Sequence, residues 1–382
     1  MDIPPLILLA AIPIAHTYVG YPLLLWLLTC CRRWPAYEEP QSWLSVTILI
    51  SAYNEEEVIR QKLENALALD YPGERQIIVV SDCSDDGTDE IVAEFADRGI
   101  GLERLAERSG KTAAQNAGAL RATGEIILFS DANSLYDPLA LRELLSPFAD
   151  PRIGCVCGEL RYLNPNSGGA GQGEGLYWRY EQFLKRRESQ LGSLVGANGS
   201  IYAVRRKLFE ELRADIISDF IMPIRVRRAG YRVVYAPTAI AREYASKGFG
   251  AELRRRTRII ARSIYGLWTE RGVLNPFMYG VFSLQVVSHK LIRWLVPFFL
   301  IVAFVSSLQS SAAEPGRTLL ALQLLFYGLA LLGALAPRWL GRFRLFYVPA
   351  YFCSINLGAL FGVLRFLSGH RYTVWQTAKR PA

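Results

Sequence analysis

The chain has 382 residues, 51% of them hydrophobic, and a formal net charge of +8, which suits one large domain with attachments or two domains. The six cysteines have no disulfide or zinc spacing, and the three histidines all lie in or beside apolar segments, which argues against a histidine-based catalytic or metal site. Nucleic acid is one possible partner of a basic chain, but the basic residues gather beside apolar segments, which favours anionic lipid headgroups and phosphates.

The N-terminal segment is long and apolar enough to cross a bilayer. Residues 3–30 carry no charge, and Arg32 and Arg33 follow shortly afterwards. About 20 apolar residues span the hydrocarbon core. The chain starts with Met-Asp and lacks the basic start of a cleaved signal peptide, so residues 1–31 are predicted to be a retained membrane anchor. The two arginines place the C-terminal end of this anchor in the cytoplasm.

The central part, residues 44–250, is predicted to be a soluble α/β domain. Buried strands are expected within WLSVTILISAYNEEE, RQIIVVSDCSDDGT and EIILFSDANSLYDP, and amphipathic helices alternate with them. Such alternation at this spacing is typical of a mostly parallel, doubly wound, Rossmann-like sheet.

Polar residues follow each of these three strands. They are Tyr53-Asn54-Glu55 after the first, Asp82 after the second, and Asp131 with Asn133 after the third. Each group alone could equally begin a turn, since Asx residues favour turns. The carboxyl ends of parallel strands meet at one edge, where open α/β sheets bind ligands, so the three groups together favour a binding site.

Two nucleotide-binding patterns are missing from this domain. The turn after the first strand, residues 51–55, contains no glycine, which excludes the G-x-G-x-x-G turn of dinucleotide dehydrogenases. Gly110-Lys111-Thr112 lacks the preceding glycine of a P-loop and follows no predicted strand.

The C-terminal part is predicted to return to the membrane. Residues 251–289 are expected to form amphipathic helices at the interface, and residues 290–367 about three spans, at 291–308, 318–336 and 345–367. The basic loop 337–344 suits the cytoplasm, which would put the basic tail, residues 368–382, outside. If 273–289 also spans, the tail comes inside and the loop goes out, so both arrangements remain open.

These segments resemble the family-2 glycosyltransferases of the GT-A fold, and among them the membrane-integrated polysaccharide synthases of the cellulose, hyaluronan and poly-N-acetylglucosamine type. The resemblance runs in motif order from about residue 44 to residue 260. It implies that Ala52, Tyr53 and Glu55 lie near the uracil and ribose of a UDP-sugar. It also implies that Asp82 contacts the uracil, and that Lys111 and Asn116 lie beside the ribose and diphosphate.

The motif Ser130-Asp131-Ala132-Asn133 stands where the family has D-x-D. By the resemblance, Asp131 contacts the donor sugar or ribose, and the third position ligates the Mg²⁺ or Mn²⁺ that bridges the diphosphate. That third position is Asn133 here. Both cations favour carboxylate oxygens, and an amide supplies no charge, so Asp131 and Asn133 are expected to bind the metal more weakly or with a different preference.

The segment IISDFIMPIR resembles the one that holds the family's catalytic base, normally a pair of acids. Here the pair is Ser218-Asp219, and Asp219 falls at the second, basic position. A carboxylate there would take the proton of the acceptor hydroxyl during one inverting displacement. The alternative interpretation of Asp219 is a helix N-cap.

The segment 252–268 stands in the place of the family's Q-x-x-R-W motif. Arg255 and Arg258 keep its spacing, and Arg258 would bind the diphosphate, but the Gln and Trp are absent. This departure puts processive synthesis in doubt. The alternative is a basic amphipathic helix on the membrane surface, and both interpretations can hold together.

Acceptor contacts are expected from two further stretches. Gly196 and Asn198 lie in a small-residue segment that would let the backbone approach a sugar. Trp178 lies in the stretch 166–181, a Gly-rich loop that runs into an aromatic segment, and would either stack on acceptor sugars or pack against the membrane helices, with packing favoured.

The resemblance therefore implies an enzyme of the bacterial inner membrane with a cytoplasmic catalytic domain. It would transfer a sugar from a UDP-sugar, with inversion and with Mg²⁺ or Mn²⁺, to a growing exopolysaccharide or capsular glycan. The alternative within the class is a single transfer to a lipid-linked acceptor. A rival from another class is a non-catalytic membrane channel or subunit, against which the retention of Asp82, Asp131 and Asp219 argues. No nucleic-acid partner is expected, and whether a partner subunit is needed stays open.

Overall fold

A central mixed sheet organises the middle of the chain. The computed structural model describes residues 5–35, 37, 39–163, 169–244, 249–335 and 343–374. Its eight-stranded sheet has the order β3-β2-β1-β4-β7-β6-β8-β5. The strands are β1 Val46–Ala52, β2 Arg75–Ser81, β3 Ile100–Arg104, β4 Ile126–Asp131, β5 Leu135–Tyr136, β6 Ile153–Tyr162, β7 Ile201–Arg205 and β8 Arg232–Glu243.

The first four strands in the sheet order are parallel, and the prediction of a mostly parallel sheet is confirmed. β7 runs antiparallel to both β4 and β6, and β5 runs antiparallel to β8. Of these strands the sequence analysis predicted β1, β2 and β4; β3, β5 and β7 are short and lack a long apolar run, and β6 and β8 were not assigned. All seven residues of β1 and the first five of β4 are buried, because core side chains pack on both faces of these strands.

Helices cover both faces of the sheet and continue beyond it. They are α1 Pro5–Thr29, α2 Glu56–Leu67, α3 Thr88–Ala93, α4 Lys111–Arg121, α5 Ala140–Leu145, α6 Gly169–Leu191, α7 Ser218–Arg228, α8 Phe249–Thr269, α9 Pro276–Tyr279, α10 Val281–Gln309, α11 Gly316–Leu335 and α12 Arg344–Leu367. α6 contains most of the stretch expected to be a Gly-rich loop, and residues 166–168 of that stretch lie outside the described residues. The second half of α6, from Tyr180 to Leu191, packs against α1.

Four helices, α1, α10, α11 and α12, are long and apolar enough to cross a membrane. The boundary that the sequence placed at 289–290 falls inside α10, which continues without a break from Val281. Residues 271–279 before it form a 3₁₀ turn and the short α9. The basic loop around residue 340 lies outside the described residues.

A buried polar cluster joins α1 and α10 to α6. The Tyr21 hydroxyl donates a 2.6 Å hydrogen bond to Glu188, which also lies 2.7 Å from Nδ1 of His289. Nε2 of His289 is 3.3 Å from Glu181, and Arg293 pairs with the same carboxylate. Acids from α6 therefore meet a histidine and an arginine from a candidate membrane helix, and their pairing links the domain to α10.

Replacing Phe129 by alanine is expected to destabilise the central domain. The ring lies fully buried in β4 and stacks on Tyr202, with ring centroids 4.8 Å apart. Phe→Ala in a packed core costs about 3–5 kcal/mol, which corresponds to roughly 10 °C in Tm for a domain of this size. Thermal unfolding of the purified protein in detergent, followed by tryptophan fluorescence, measures the shift. A Tm within about 2 °C of the parent would contradict the packing described here.

Candidate functional site

The strand ends predicted to share one edge of the sheet do so. β1 lies between β2 and β4, and its register pairs Ser51 with Asp131 and Ala52 with Ser81. The amide of Asp82 donates a 2.9 Å hydrogen bond to the carbonyl of Ala52. Parallel neighbours end at the same edge, so the polar residues after the three strands lie side by side.

One cavity of about 530 Å³ opens at this edge. Its lining contains most of the residues that the sequence singled out: Glu55, Lys111, Asp131, Asn133, Trp178, Gly196, Asn198, Asp219, Arg255 and Arg258. Three others adjoin it at the strand ends without lining it: Ala52, Tyr53 and Asp82. Asn116 does not line the cavity, because its side chain forms hydrogen bonds with the backbone carbonyl and amide of Leu212.

Asp82 holds the loop that precedes α4. Its fully buried carboxylate accepts hydrogen bonds from the amides of Ser109 at 2.7 Å and Gly110 at 3.0 Å. Burial raises the pKa of Asp82, and the two amides partly oppose this shift. Gly110 has a φ of +96°, which favours glycine. In this arrangement Asp82 orients the N-terminus of α4, where Lys111 begins the helix.

Lys111 connects the D-x-N segment, Asp131-Ala132-Asn133, to the opposite wall of the cavity. Its ammonium pairs with Asp131 and lies 3.4 Å from the carbonyl of Gly199. A Cβ at Gly199 would stand 2.9 Å from Oδ2 of Asp219 and 3.1 Å from Nζ of Lys111. A side chain at position 199 would therefore push Asp219 and Lys111 apart, and glycine lets the two groups converge.

Asp219 lies in the first turn of α7. The helix begins at Ser218, and Ile217 occupies the cap position without a side-chain cap, so the N-cap interpretation of Asp219 is wrong. The amide of Ala197 donates a 2.8 Å hydrogen bond to the backbone carbonyl of Asp219. Burial raises the pKa of the Asp219 carboxyl, while Lys111 and Lys185 act in the opposite direction. A half-buried carboxylate of raised pKa in a cavity is suited to accepting a proton.

The arginines of α8 divide into two groups. Arg255 and Arg256 both form ion pairs with Glu252. Arg258 has Arg255 and Tyr372 as its charge neighbours, and burial together with the adjacent Arg255 lowers its pKa. A partly buried guanidinium that a second arginine repels is stabilised by an anion, which fits the role that the resemblance gives to Arg258.

Arg262, one turn after Arg258, positions the segment before α7, and the sequence analysis did not identify it. Its guanidinium donates to the carbonyls of Ala214 at 2.9 Å and Ile216 at 2.6 Å, and to the Thr112 hydroxyl at 2.9 Å. It thereby ties α8 to the approaches of both α4 and α7. In the sequence, the i, i+4 spacing from Arg258 was the one indication that Arg262 lies on the same face of α8.

The side chain of Trp178 is held in place by contacts with β6. Its indole donates a 2.5 Å hydrogen bond to the carbonyl of Leu160, and its ring packs on Tyr162 while also lining the cavity. Asn198 is held by Lys185 and donates to the carbonyl of Gly158 at 2.7 Å. Gly196 lies opposite Phe220 and Lys290, because a Cβ there would stand 3.4 Å from the Phe220 ring.

The cavity also extends between candidate membrane helices. Residues from α1, α10 and α12 line this end: Tyr18, Lys290, Arg293, Trp294, Ile355, Asn356 and Ala359. The sequence did not identify Lys290 and Arg293, because basic residues in an apolar run indicate a membrane boundary rather than a site. The resulting space leads from the strand ends to the candidate membrane helices.

The polar groups beside Asp131 are oxygen donors. Asp131 and Asn133 line the cavity together with Glu243, whose carboxylate accepts a hydrogen bond from the Ser134 hydroxyl. Burial raises the pKa of Glu243, and the charge of Asp131 adds to this shift. Within the described ranges, no three His, Cys, Asp or Glu side chains form a metal cluster. A mixed carboxylate and amide set still fits a hard divalent cation that shares its coordination with phosphate oxygens.

Residues 47–213 match the model of the family described as Glycosyl transferase family 2. The chain is 30% identical over 247 residues to a probable glycosyltransferase, YdaM, of Bacillus subtilis, covering 59% of this chain and 57% of YdaM. It is 24% identical over 288 residues to a poly-beta-1,6-N-acetyl-D-glucosamine synthase of Staphylococcus epidermidis, covering 72% of this chain and 67% of that enzyme. The chain thus spans little more than half the length of YdaM and about two thirds of the synthase.

A solved structure shares the architecture over nearly the whole chain. The mannosyltransferase PcManGT from Pyrobaculum calidifontis, solved with GDP-Man and Mn²⁺, superposes with a TM-score of 0.74 and 23% identity, covering 94% of this chain and 99% of PcManGT. The sheet order, the strand-end cavity and this superposition identify the fold as GT-A. The chain therefore has the GT-A fold, its residues 47–213 match glycosyl transferase family 2, and it is similar in sequence to poly-beta-1,6-N-acetyl-D-glucosamine synthases, with four candidate membrane helices among the described residues.

Proposed function

We propose that the protein is an inverting glycosyltransferase that moves a sugar from a UDP-sugar to an acceptor at the cytoplasmic face of the bacterial inner membrane. The observation that carries the proposal is the single cavity that contains the D-x-N segment, Lys111, Asp219 and Arg258. Arg32 and Arg33, directly after α1, support the cytoplasmic orientation through the positive-inside tendency. The growing chain of an exopolysaccharide or capsular glycan is the acceptor that the relationship to the synthase supports.

In this proposal the donor lies along the strand ends, with the nucleotide near Ala52, Tyr53, Glu55 and Asp82. Asp131 and Asn133 hold a divalent cation, Mg²⁺ or Mn²⁺, which supplies charge neutralisation at the donor diphosphate when bound. Lys111, at the N-terminus of α4, and Arg258 bind the diphosphate oxygens. Their positive charges stabilise the diphosphate as it leaves.

Asp219 is the general base. It takes the proton of the acceptor hydroxyl while that oxygen attacks the anomeric carbon from the side opposite the departing diphosphate. One displacement forms the new glycosidic bond, breaks the bond to the nucleotide and inverts the configuration. Gly196, Asn198 and Trp178 bound the space next to Asp219 in which the acceptor would lie.

A panel experiment tests the function and the donor. Full-length protein in lipid nanodiscs is incubated with UDP-sugars and, because PcManGT was solved with GDP-Man, with GDP-mannose, each with Mg²⁺ or Mn²⁺. Release of UDP that depends on one sugar and stops with EDTA supports the proposal. Release of GDP alone would mean that the donor is GDP-mannose and not a UDP-sugar. Failure to bind any nucleoside diphosphate would contradict the donor site itself.

A single transfer to a lipid-linked acceptor is the second candidate. Lys290 brings a cation from α10 into the membrane end of the cavity, where it would neutralise a lipid phosphate, while Arg293 beside it pairs with Glu181. In addition, Ile259 replaces the Trp of the Q-x-x-R-W motif. Product analysis separates the candidates, because one yields a polymer and the other a lipid carrying one added sugar.

The rate of transfer is expected to fall in acid at a pH above the ordinary pKa of an aspartate, about 4. Burial raises the pKa of Asp219, and the base works only when deprotonated, so activity is present above its raised pKa and lost as the pH falls through it. A pH profile of kcat at saturating donor measures this limb. A limb centred at or below about pH 4 would contradict a raised pKa of the base.

A further inference from the structure

Glu243, the last residue of β8, is placed beside the D-x-N segment by the sheet. In the antiparallel β5–β8 ladder, Leu135 is the partner of Arg242, so Glu243 stands opposite Ser134. The Ser134 hydroxyl donates to Oε1 of Glu243. Ser134 directly follows Asn133, and the three side chains of Asp131, Asn133 and Glu243 line the same cavity.

The surroundings of this carboxylate hold it close to Asp131. The buried Lys62 fixes the position of Ser134, because its ammonium donates a 2.5 Å hydrogen bond to the Ser134 carbonyl. Lys111 pairs with Asp131 on the other side. Ser134 also links the two acids, because its amide donates a 3.2 Å hydrogen bond to the carbonyl of Asp131 while its hydroxyl donates to Glu243. Two carboxylates that share a half-buried cavity are relieved by a divalent cation between them.

We propose that Glu243 supplies the second carboxylate of the divalent-cation site at the donor diphosphate, in place of the acid that Asn133 replaces. The inference rests on the proposed function, since it assumes a nucleoside diphosphate in this cavity. Asp131 and Glu243 then give two carboxylate charges, Asn133 adds a neutral oxygen, and the diphosphate completes the oxygen shell that Mg²⁺ and Mn²⁺ prefer.

The distance in sequence between the two carboxylates explains why the site is not apparent from the D-x-N motif alone. Asp131 ends a parallel strand in the middle of the sheet, and Glu243 ends a strand near its edge. Only the pairing of β5 with β8 brings them together. In this arrangement Asn133 would supply an uncharged oxygen ligand, and the second carboxylate charge of the site would come from Glu243, outside the motif.

Binding of Mn²⁺, measured without turnover, tests the inference. The full-length protein in nanodiscs is titrated with Mn²⁺ in the presence of UDP, and the free ion is followed by electron paramagnetic resonance. Glu243→Gln is expected to weaken Mn²⁺ binding by about 10-fold or more. The swap Asn133→Asp with Glu243→Gln is expected to restore binding, because it returns the site to two carboxylates. Asn133→Asp alone is expected to bind at least as tightly as the parent.

Glu125→Gln is the matched control, because Glu125 lies just before β4, at the end of that strand opposite Asp131, and bonds to Ser45 instead. It removes the same charge without touching the cavity and is expected to bind Mn²⁺ like the parent. Parent-like binding by Glu243→Gln would overturn the inference and leave the proposed function intact. Weak binding by both Glu243→Gln and the swap would also overturn it, since the carboxylate count would then not decide affinity. No Mn²⁺ binding by the parent with UDP would overturn the metal site of the proposed function as well.

Discussion

Asp219→Asn is expected to lower the rate constant of sugar transfer by about 10²- to 10⁴-fold, the usual contribution of a positioned general base. The amide has nearly the shape of the carboxylate but cannot take the acceptor proton. Binding of the nucleotide should change little, because Asp219 faces Gly199 and Lys111 from the opposite wall of the cavity from the strand ends. Turnover and nucleotide affinity, measured on the same preparation in nanodiscs, separate the two effects.

Asp70→Asn is the control for this substitution. Asp70 is exposed and pairs with Arg142 at 2.9 Å, outside the cavity lining, so its replacement is expected to leave turnover within about twofold of the parent. An Asp219→Asn protein that retains a tenth or more of the parent rate would remove Asp219 from the role of base. Loss of nucleotide binding together with turnover would instead point to a disrupted site.

Arg258→Ala is expected to lower kcat/KM for the donor by about 10- to 100-fold, which corresponds to the loss of charge-assisted hydrogen bonds to the diphosphate. The guanidinium lines the cavity, and a second arginine rather than an acid is its neighbour, so an anion is its natural partner. Arg258→Lys should recover only part of the loss, because an ammonium does not reproduce the planar, bidentate geometry.

Arg254→Ala provides a matched comparison on the same helix. Arg254 is exposed and does not line the cavity. If the effect of Arg258 came from the general positive charge of α8 at the membrane surface, the two alanine variants would lose activity equally. A loss confined to position 258, with the donor KM raised, supports the diphosphate contact. Equal losses would support the interpretation of a membrane-surface helix instead.

The parallel half of the sheet was predictable because its signals are local. Continuous apolar runs in β1, β2 and β4 indicated strands that are covered on both faces, and each is followed by polar residues at one edge. The apolar lengths of α1, α11 and α12 likewise indicated membrane helices. Asp131, Asn133 and Asp219 could be selected from the sequence because each stands in a recognisable motif.

The remaining parts of the site depend on contacts that no local pattern records. β7 inserts antiparallel between β4 and β6, although it follows β6 by more than 35 residues of the chain, and this brings Gly199 to Asp219 and Lys111. Lys290 and Arg293 reach the cavity only because α10 packs beside α6. A basic residue in an apolar run has the same local appearance whether it faces a headgroup or a cavity.

By itself, the sequence determined the alternating α/β domain between candidate membrane helices, the sheet edge that carries the candidate site, and the acids at the ends of its parallel strands. Those features follow from hydrophobic periodicity and from the way parallel strands share one polar edge. The tertiary structure alone decided that Asp219 lies in the first turn of α7 rather than at its cap, that Glu243 joins Asp131, and that one cavity continues between the membrane helices. Each of these depends on the pairing and packing of segments far apart in the chain, which residue spacing does not encode.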